Sequence, residues 1–163
     1  SCKKSAKVGE RVNTWEIVAD FHFQGTSALA LDGKGRLSVP ARHRDVMQSL
    51  SAGQLTITKH PEGCLMVFPR PAWESFRERI AALPMSANAW KRVFLGSAYD
   101  VEFDTASRVL VAPELRTFAG ISKDVLLIGM GGHLELWDAS RHAVHEAETL
   151  KQPMPDALQD FAF

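Results

Sequence analysis

Apolar and polar positions alternate in short runs along this chain, a pattern that predicts strands more than long helices. In residues 99–104, Tyr99, Val101 and Phe103 alternate with acidic residues, which is the period of a half-buried strand. Residues 27–32 stand before a similar turn and are predicted to form the corresponding strand. Short strands after each turn and two further strand pairs are predicted at 36–39, 108–112, 54–59 with 64–69, and 124–130 with 133–138.

Helical patterns separate these strands. Pro40 and Pro113 suit the first turn of a helix, where the missing amide N–H has no partner to lose. Gly120 is a candidate C′ residue and Asp138 a candidate N-cap. The predicted helices span 40–50, 71–83, 86–95, 113–120 and 138–150, and in 71–83 one apolar face is formed by Trp73, Phe76, Ile80 and Leu83.

The chain contains an internal duplication. Asp32, Arg36 and Arg44 recur 72 positions later as Asp104, Arg108 and Arg116. The segment "FQG" at 23–25 matches "FLG" at 94–96, and "GCLMVF" at 63–68 matches "GHLELW" at 132–137, in the same order. Each copy is predicted to be β-turn-β-α-β-β-α. Units of roughly 60 residues are marginal alone, so we expect the copies to share one core.

The duplication sets the expected organisation. We predict a fold of the α+β class, mainly β, in which two tandem repeats form one compact pseudo-symmetric body. Four segments are expected: a flexible leader, a first repeat, a linker helix with the second repeat, and a tail. They span 1–21, 22–84, 85–150 and 151–163.

Charge is balanced over the whole chain and uneven within it. Nineteen basic and nineteen acidic residues cancel, so a nucleic-acid partner requires a local patch. Residues 32–44 carry a local charge of +3, whereas residues 104–116 carry none. The leader lacks the apolar block of a signal peptide, and no apolar run is long enough to span a bilayer. Cys2 and Cys64 form no metal or redox spacing, and a reducing cytoplasm is the simplest compartment.

The doubled D-x-x-x-R motif carries a resemblance to a known family. "FQG…LALDGKGRLSVPAR", the second motif from Asp104 to Arg108, the proline after each second strand and the terminal "LELWD" resemble the MraZ family of bacteria over about residues 22–150. The second turn departs from the pattern because "DTASR" lacks the Lys-Gly of the first. The family belongs to the AbrB-like group of swapped-hairpin DNA-binding folds.

The resemblance implies a function and a partner. It implies a sequence-specific transcriptional regulator of the division and cell-wall gene cluster, associated with the nucleoid in the cytoplasm. It further implies a ring-shaped homo-oligomer that binds short G-rich direct repeats in double-stranded DNA. No cofactor, metal, membrane or small-molecule substrate is expected.

The same resemblance favours particular residues. A two-stranded β-ribbon fits the major groove, and we expect the cations at its tip to contact bases or phosphates. Arg36 is the candidate for a bidentate contact to guanine, with Lys34 as a second donor. Asp32 and Asp104 are interpreted as structural ion-pair partners of arginines. The predicted DNA-binding residues are Lys34, Arg36, Arg42, Arg44 and Arg108.

Other interpretations stay open. "DGKGR" could be only a solvated turn, and Arg42 and Arg44 could cap or pack their helix. The function could instead be that of a DNA-independent ring-forming assembly protein, or of a small β-fold enzyme with an unrecognised site. No nucleophile with a base or paired carboxylates indicates catalysis. The histidines and Glu146 of "HAVHEAE" are interpreted as a solvated helix face, and Cys64 as a buried apolar residue.

Overall fold

The computed structural model describes residues 23–163, so the predicted leader over 1–21 lies outside the described residues. The first half contains β1 (Thr26–Ala30), β2 (Arg36–Ser38), α1 (Ala41–Ser51), β3 (Gln54–Lys59), β4 (Leu65–Pro69) and α2 (Arg70–Ala81). A 3-10 turn (Met85–Ala87) and α3 (Asn88–Phe94) connect the halves. The second half contains β5 (Tyr99–Glu102), β6 (Arg108–Leu110), α4 (Pro113–Ala119), β7 (Asp124–Gly129), β8 (Leu134–Asp138) and α5 (Ala139–Leu150). The predicted order β-turn-β-α-β-β-α, present twice, is confirmed.

The strands of the described residues form two antiparallel sheets that mix the halves. A six-stranded sheet has the order β1-β7-β8-β4-β3-β5, and β2 pairs with β6 in a separate two-stranded ribbon, the β2–β6 ribbon. The first strand of each half therefore completes the sheet of the other half. Exchanging equivalent strands of the two halves reverses the strand order and preserves every pair. The body is pseudo-symmetric, as predicted.

This pairing corrects one expectation about the turns. The expectation that the cations of residues 32–36 lie at the tip of a two-stranded ribbon implies that the strands on either side of this turn pair with each other. Instead β1 pairs with β7 and β2 pairs with β6, so the turn connects two different sheets. The turn at 104–108 likewise connects β5, which pairs with β3, to β6. The ribbon is thus built from both repeats, and each turn lies at one of its ends.

The main hydrophobic core lies between the six-stranded sheet and a layer made of the ribbon, α1 and α4. Leu55 and Ile57 of β3 point into this core, whereas Thr56 and Thr58, which alternate with them, point to the opposite face. Ribbon, helices and sheet all contribute fully buried side chains, which include Leu37, Met47, Val109, Leu115, Leu127 and Leu136. A fully buried side chain of this size contributes roughly 1.5–3 kcal/mol.

The opposite face of the sheet is covered by α2, α3 and α5. Met66 and Phe68 of β4 pack there against Trp73 and Phe76 of α2. The helix α2 ends at Ala81, because the residue before a proline disfavours helical geometry and Pro84 follows closely. Leu83, which was expected on the apolar face of this helix, is therefore exposed.

Two predicted helix ends are confirmed by their geometry. Gly120 follows α4 in the left-handed region, with φ of 65°, and its N–H donates to the carbonyl of Thr117. Asp138 caps α5 because its Oδ2 accepts a hydrogen bond from the backbone N–H of Arg141 at 3.0 Å. Among the described residues, no helix combines the length and the apolar character that crossing a membrane requires.

Candidate nucleic-acid interface

The turn that follows β1 is organised by one carboxylate. Asp32 Oδ1 accepts hydrogen bonds from the backbone N–H groups of Lys34 and Arg36, each at 2.9 Å. Asp32 Oδ2 accepts from Arg36 Nε at 2.7 Å. The same side chain therefore closes the turn and fixes the direction of the arginine. Because Nε is occupied, the Nη1 and Nη2 groups of Arg36 are left for other partners.

The turn that follows β5 repeats this arrangement. Asp104 Oδ1 accepts from the backbone N–H groups of Ala106 and Arg108, each at 2.9 Å, and Oδ2 accepts from Arg108 Nε at 2.9 Å. Four-residue spacing from aspartate to arginine suits both turns because the aspartate reaches the backbone and the side chain of the arginine at once. The arginine side chains of both turns are 30% exposed.

Hydrogen bonds keep both aspartates ionised. The backbone N–H of Arg36 is the main cause that lowers the pKa of Asp32 to about 2, although partial desolvation opposes it. The backbone N–H of Arg108 likewise lowers the pKa of Asp104. Each pair therefore has no net charge near neutral pH. The arginines in these pairs provide directed N–H donors and little net attraction.

The fourth residue of each turn lies in the left-handed region of the backbone. Gly35 has φ of 78°, and the equivalent Ser107 has φ of 59°. Glycine adopts this conformation at little cost, whereas an L side chain such as that of serine pays a steric penalty. The first turn thus uses the residue type its geometry requires, and the second turn keeps the same backbone with a less suitable residue.

The β2–β6 ribbon places both arginines on one surface. Arg36 lies opposite Leu110, and Ser38 lies opposite Arg108. These four side chains share the outer face of the ribbon, since side chains alternate along a strand. Leu37 and Val109 point inward and anchor the ribbon to the core, as noted above. The outer face therefore carries two oriented guanidinium groups on a rigid, well-packed support.

The two turns also meet across the ribbon. Arg108 Nη1 lies 3.7 Å from Asp32 Oδ2, so Asp32 contacts an arginine of each half. Arg108 is consequently held by two carboxylates, whereas Arg36 contacts its own aspartate. This contact is not evident from the sequence, because it depends on the pairing of β2 with β6.

The remaining predicted residues surround the first turn less closely. The side chain of Lys34 is exposed and makes no hydrogen bond or ion pair within the described residues. Arg42 is exposed on α1, and its Nη2 donates to Ser27 Oγ at 2.7 Å. Arg44 is half-buried on the same helix, and its side chain also makes no hydrogen bond or ion pair with the residues that the structure describes. The structure brings Arg36 and Arg108 together on the ribbon, whereas Arg42 and Arg44 lie on the adjacent helix.

One arginine at this surface was not among the predicted DNA-binding residues. Arg116 donates from Nε to the carbonyl of Val111 at 3.0 Å and lies against Gly35, where an added Cβ would come within 2.6 Å of Arg116 Cζ. It therefore places a further cation beside the first turn. The repeat pointed to this residue because it matches Arg44, but its contact with the other half follows only from the fold.

Metal-ligand side chains gather elsewhere. Among the described residues, one group of three such side chains lies close together, formed by His60, Cys64 and Glu135. No local spacing in the sequence indicates this group, because Glu135 lies far along the chain from His60 and Cys64. The histidines of "HAVHEAE" instead form separate pairs. His142 Nε2 lies 3.9 Å from Glu146 Oε2, and His145 Nε2 lies 3.7 Å from Glu62 Oε2.

A comparison with known proteins matches each of the two repeats separately. A family model described as "MraZ protein, putative antitoxin-like" matches twice, over residues 22–93 and 94–160. A protein of Leptothrix cholodnii named "Transcriptional regulator MraZ" is 70% identical over 146 residues, which cover 90% of this chain and 100% of that protein. Proteins of the same name from Methylibium petroleiphilum and Variovorax paradoxus are 64% and 67% identical, over 90% and 86% of this chain and 100% and 99% of their own lengths. The chain belongs to the MraZ family.

Proposed function

We propose that this chain is a DNA-binding transcriptional regulator whose β2–β6 ribbon recognises DNA sequence. The family supports this proposal, since the relatives compared above are named as transcriptional regulators. The cytoplasmic nucleoid is the compartment where such a protein acts. Its target, on the resemblance described above, is a set of short G-rich direct repeats upstream of the division and cell-wall gene cluster.

The observation that carries the proposal is the paired orientation of Arg36 and Arg108 on the outer face of the ribbon. A two-stranded antiparallel ribbon fits the major groove, where guanine presents O6 and N7 as acceptors. Asp32 holds Nε of Arg36, and we assign the Nη1 and Nη2 groups of this partly exposed side chain to the base edge. Such a pre-oriented guanidinium loses little side-chain entropy on binding, and its fork matches the edge of guanine.

The surrounding cations supply the attraction that the neutral pairs lack. These cations lie near the first turn or on the helices that share the layer of the ribbon: Lys34, Arg42, Arg44 and Arg116. We assign them to the phosphate backbone, where contacts position the protein without specifying sequence. The second turn has no equivalent of Lys34, since Ala106 occupies that place. The first repeat therefore provides more of the electrostatic attraction.

A single ribbon of this kind binds weakly, and we propose that repetition compensates. Several copies of the chain in a ring would each engage one direct repeat, and linked binding events raise the overall affinity without new contacts. Repeats separated by about one helical turn would face the ring on one side of the duplex.

The first prediction concerns Arg36. We expect Arg36→Ala to cost about 1–3 kcal/mol of DNA-binding free energy per engaged repeat and to relax the preference for guanine at one position.

Two further variants are compared with it. Arg108→Ala is expected to cost less binding free energy, because two carboxylates already hold its guanidinium group. Lys34→Ala is expected to weaken binding evenly across sequences and to lower the salt slope by about one. The measurement is a titration of native and G-substituted repeats at several salt concentrations.

The matched control is Arg79→Ala, which removes an exposed cation from α2 on the other side of the sheet. It changes the net charge as Arg36→Ala does and is expected to leave specific binding intact. Thermal melts must first show that all variants are folded. Native affinity in the Arg36→Ala variant would exclude the ribbon as the recognition surface. Loss of fold in that variant would instead give the Asp–Arg pair a structural role.

A further inference from the structure

A buried cluster of potential metal ligands joins the two halves on the face of the sheet opposite the ribbon. One side-chain atom each from His60, Cys64 and Glu135 lies within 4.8 Å of the others. Cys64 and Glu135 are buried, and His60 is partly buried. Imidazole nitrogen, thiolate sulfur and carboxylate oxygen are the three donor types that zinc takes in proteins.

The local fold explains why these residues converge. The backbone N–H of His60 donates to the carbonyl of Cys64 at 2.9 Å, and the N–H of Gly63 donates to the backbone carbonyl of His60 at 3.0 Å. This tight turn between β3 and β4 brings His60 beside Cys64. Strand β8 pairs with β4 and places Glu135 opposite Met66, two residues after Cys64. Two ligands thus come from the first half and one from the second.

The carboxylate is buried and held by a neighbouring donor. Glu135 is only 6% exposed, and its Oε1 accepts a hydrogen bond from Trp137 Nε1 at 2.9 Å. Its Oε2 faces His60 Nε2 at 3.3 Å. A buried carboxylate needs a compensating partner, and a hydrogen bond from outside the ligand set is what orients carboxylates in metal sites.

We propose that His60 Nε2, Cys64 Sγ and Glu135 Oε2 bind a divalent transition metal of the zinc class. The mixed donor set excludes calcium and magnesium as preferred ions, since these take oxygen ligands. Three protein ligands leave the fourth position of a tetrahedral ion to water or another donor. This site is separate from the ribbon, so the proposal does not depend on DNA binding.

Binding requires two changes of proton position. The metal binds cysteine as the thiolate, so coordination displaces the proton of the buried Cys64 thiol into solvent. His60 Nδ1 now accepts from the backbone N–H of Glu62 at 3.0 Å. Coordination through Nε2 places the ring proton on Nδ1 and breaks that hydrogen bond. We therefore expect weaker binding than in a closed structural zinc site.

Cobalt provides the direct test, because a cobalt–thiolate bond produces charge-transfer absorption in the near ultraviolet and tetrahedral Co²⁺ absorbs visible light strongly. The full chain, with its cysteines kept reduced, is titrated with Co²⁺. We expect both absorption features to saturate at one ion per chain and to disappear when Zn²⁺ is added. An absence of thiolate charge transfer in the unaltered chain at excess Co²⁺ would overturn the proposal.

Variants assign the ligands. Cys64→Ala should abolish the charge-transfer band, whereas Cys2→Ala, which removes the other cysteine, should retain it. Glu135→Gln should weaken Co²⁺ binding while preserving an acceptor for Trp137. A band that persists in Cys64→Ala would overturn the proposal. If Cys64→Ala fails to fold, His60→Ala decides: with a native circular dichroism spectrum, lost Co²⁺ binding supports the site and unchanged binding excludes it.

Discussion

At the scale of single residues, Asp32 and Asp104 link the backbone to an arginine side chain. Each uses one oxygen for the turn and the other for Nε of the arginine four positions later. The spacing D-x-x-x-R is therefore enough to predict the contact within a turn. The additional contact of Asp32 with Arg108 could not be predicted in this way, because no local spacing encodes it.

The second prediction concerns Gly35, whose φ of 78° disfavours any L side chain. We expect Gly35→Ala to destabilise the fold by at least about 1–2 kcal/mol, the cost of a left-handed conformation for a residue with a Cβ. The added methyl group would also displace Arg116, whose Cζ lies 2.6 Å from the Cβ position. Urea unfolding monitored by circular dichroism measures this loss.

Gly33 is the matched control for that substitution. A Cβ at Gly33 meets no atom within 4 Å, and its φ lies outside the left-handed range. We expect Gly33→Ala in the same turn to be neutral or slightly stabilising, because alanine restricts the unfolded chain. Equal losses of stability in the two variants would contradict the argument from backbone conformation.

The third prediction concerns His43, which is 3% exposed on α1 and packs 5.7 Å from the ring of Phe23. Burial lowers the pKa of His43, and the nearby Arg42 lowers it further. As the pH falls, the unfolded chain therefore binds a proton at His43 at a higher pH than the folded chain does. The contribution of His43 to stability is complete above the ordinary pKa of about 6.5 and is lost as the pH falls below it.

The corresponding measurement is the free energy of unfolding at pH 7.5 and pH 5.0. We expect the unaltered chain to lose stability between these values, and His43→Leu to lose less because leucine does not titrate. Other groups contribute equally to both proteins and cancel in the difference. The same pH dependence in both proteins would show that His43 is not responsible.

At the scale of elements, the ribbon depends on its inward side chains. Leu37 is 2% exposed and packs in the core, whereas Leu110 on the other strand is 47% exposed on the outer face. The fourth prediction is that Leu37→Ala destabilises the chain by about 2–5 kcal/mol, the usual cost of emptying a buried leucine site. Leu110→Ala is the control and should change stability by about 0.5 kcal/mol or less. Equilibrium unfolding compares them, and similar losses would mean that the outer face is also packed.

The types of the elements were predictable because hydrophobic periodicity and the residues that start or end helices act locally. The prolines at the helix starts, the left-handed Gly120 and the cap at Asp138 all specify structure within a few residues. Strand partners were only partly predictable. β3 with β4 and β7 with β8 are neighbours along the chain and pair as expected. The partners of β1, β2, β5 and β6 lie in the other repeat, and no local signal distinguishes them from hairpin partners.

At the scale of the whole molecule, several apolar side chains remain exposed. They include Met85 and Trp90 between the halves and Phe161 and Phe163 near the end of the chain. Exposed apolar side chains mark contact sites between proteins where they form a contiguous patch. We propose that these side chains form such a patch and contribute to contacts between copies of the chain in the proposed ring.

The fifth prediction follows from this proposal. Sedimentation velocity should show a species several times larger than the 18.0 kDa chain. Trp90→Glu should reduce that size without changing the circular dichroism spectrum, because Trp90 is 51% exposed and its indole packs only partly, on Phe94. A stable monomer throughout dilution to micromolar concentration would contradict both the ring and the gain in affinity expected from it.

The exchange of first strands between the halves has a consequence for direction along DNA. A module with true twofold symmetry presents identical ends and therefore suits palindromic sites. Here both halves lie in one chain, so their turns were free to diverge, with Gly33, Lys34 and Gly35 in one and Thr105, Ala106 and Ser107 in the other. The two ends of the ribbon are no longer equivalent, and the ribbon has a polarity. For the DNA recognition proposed here, modules with such a polarity can all bind a series of direct repeats in the same orientation relative to the DNA.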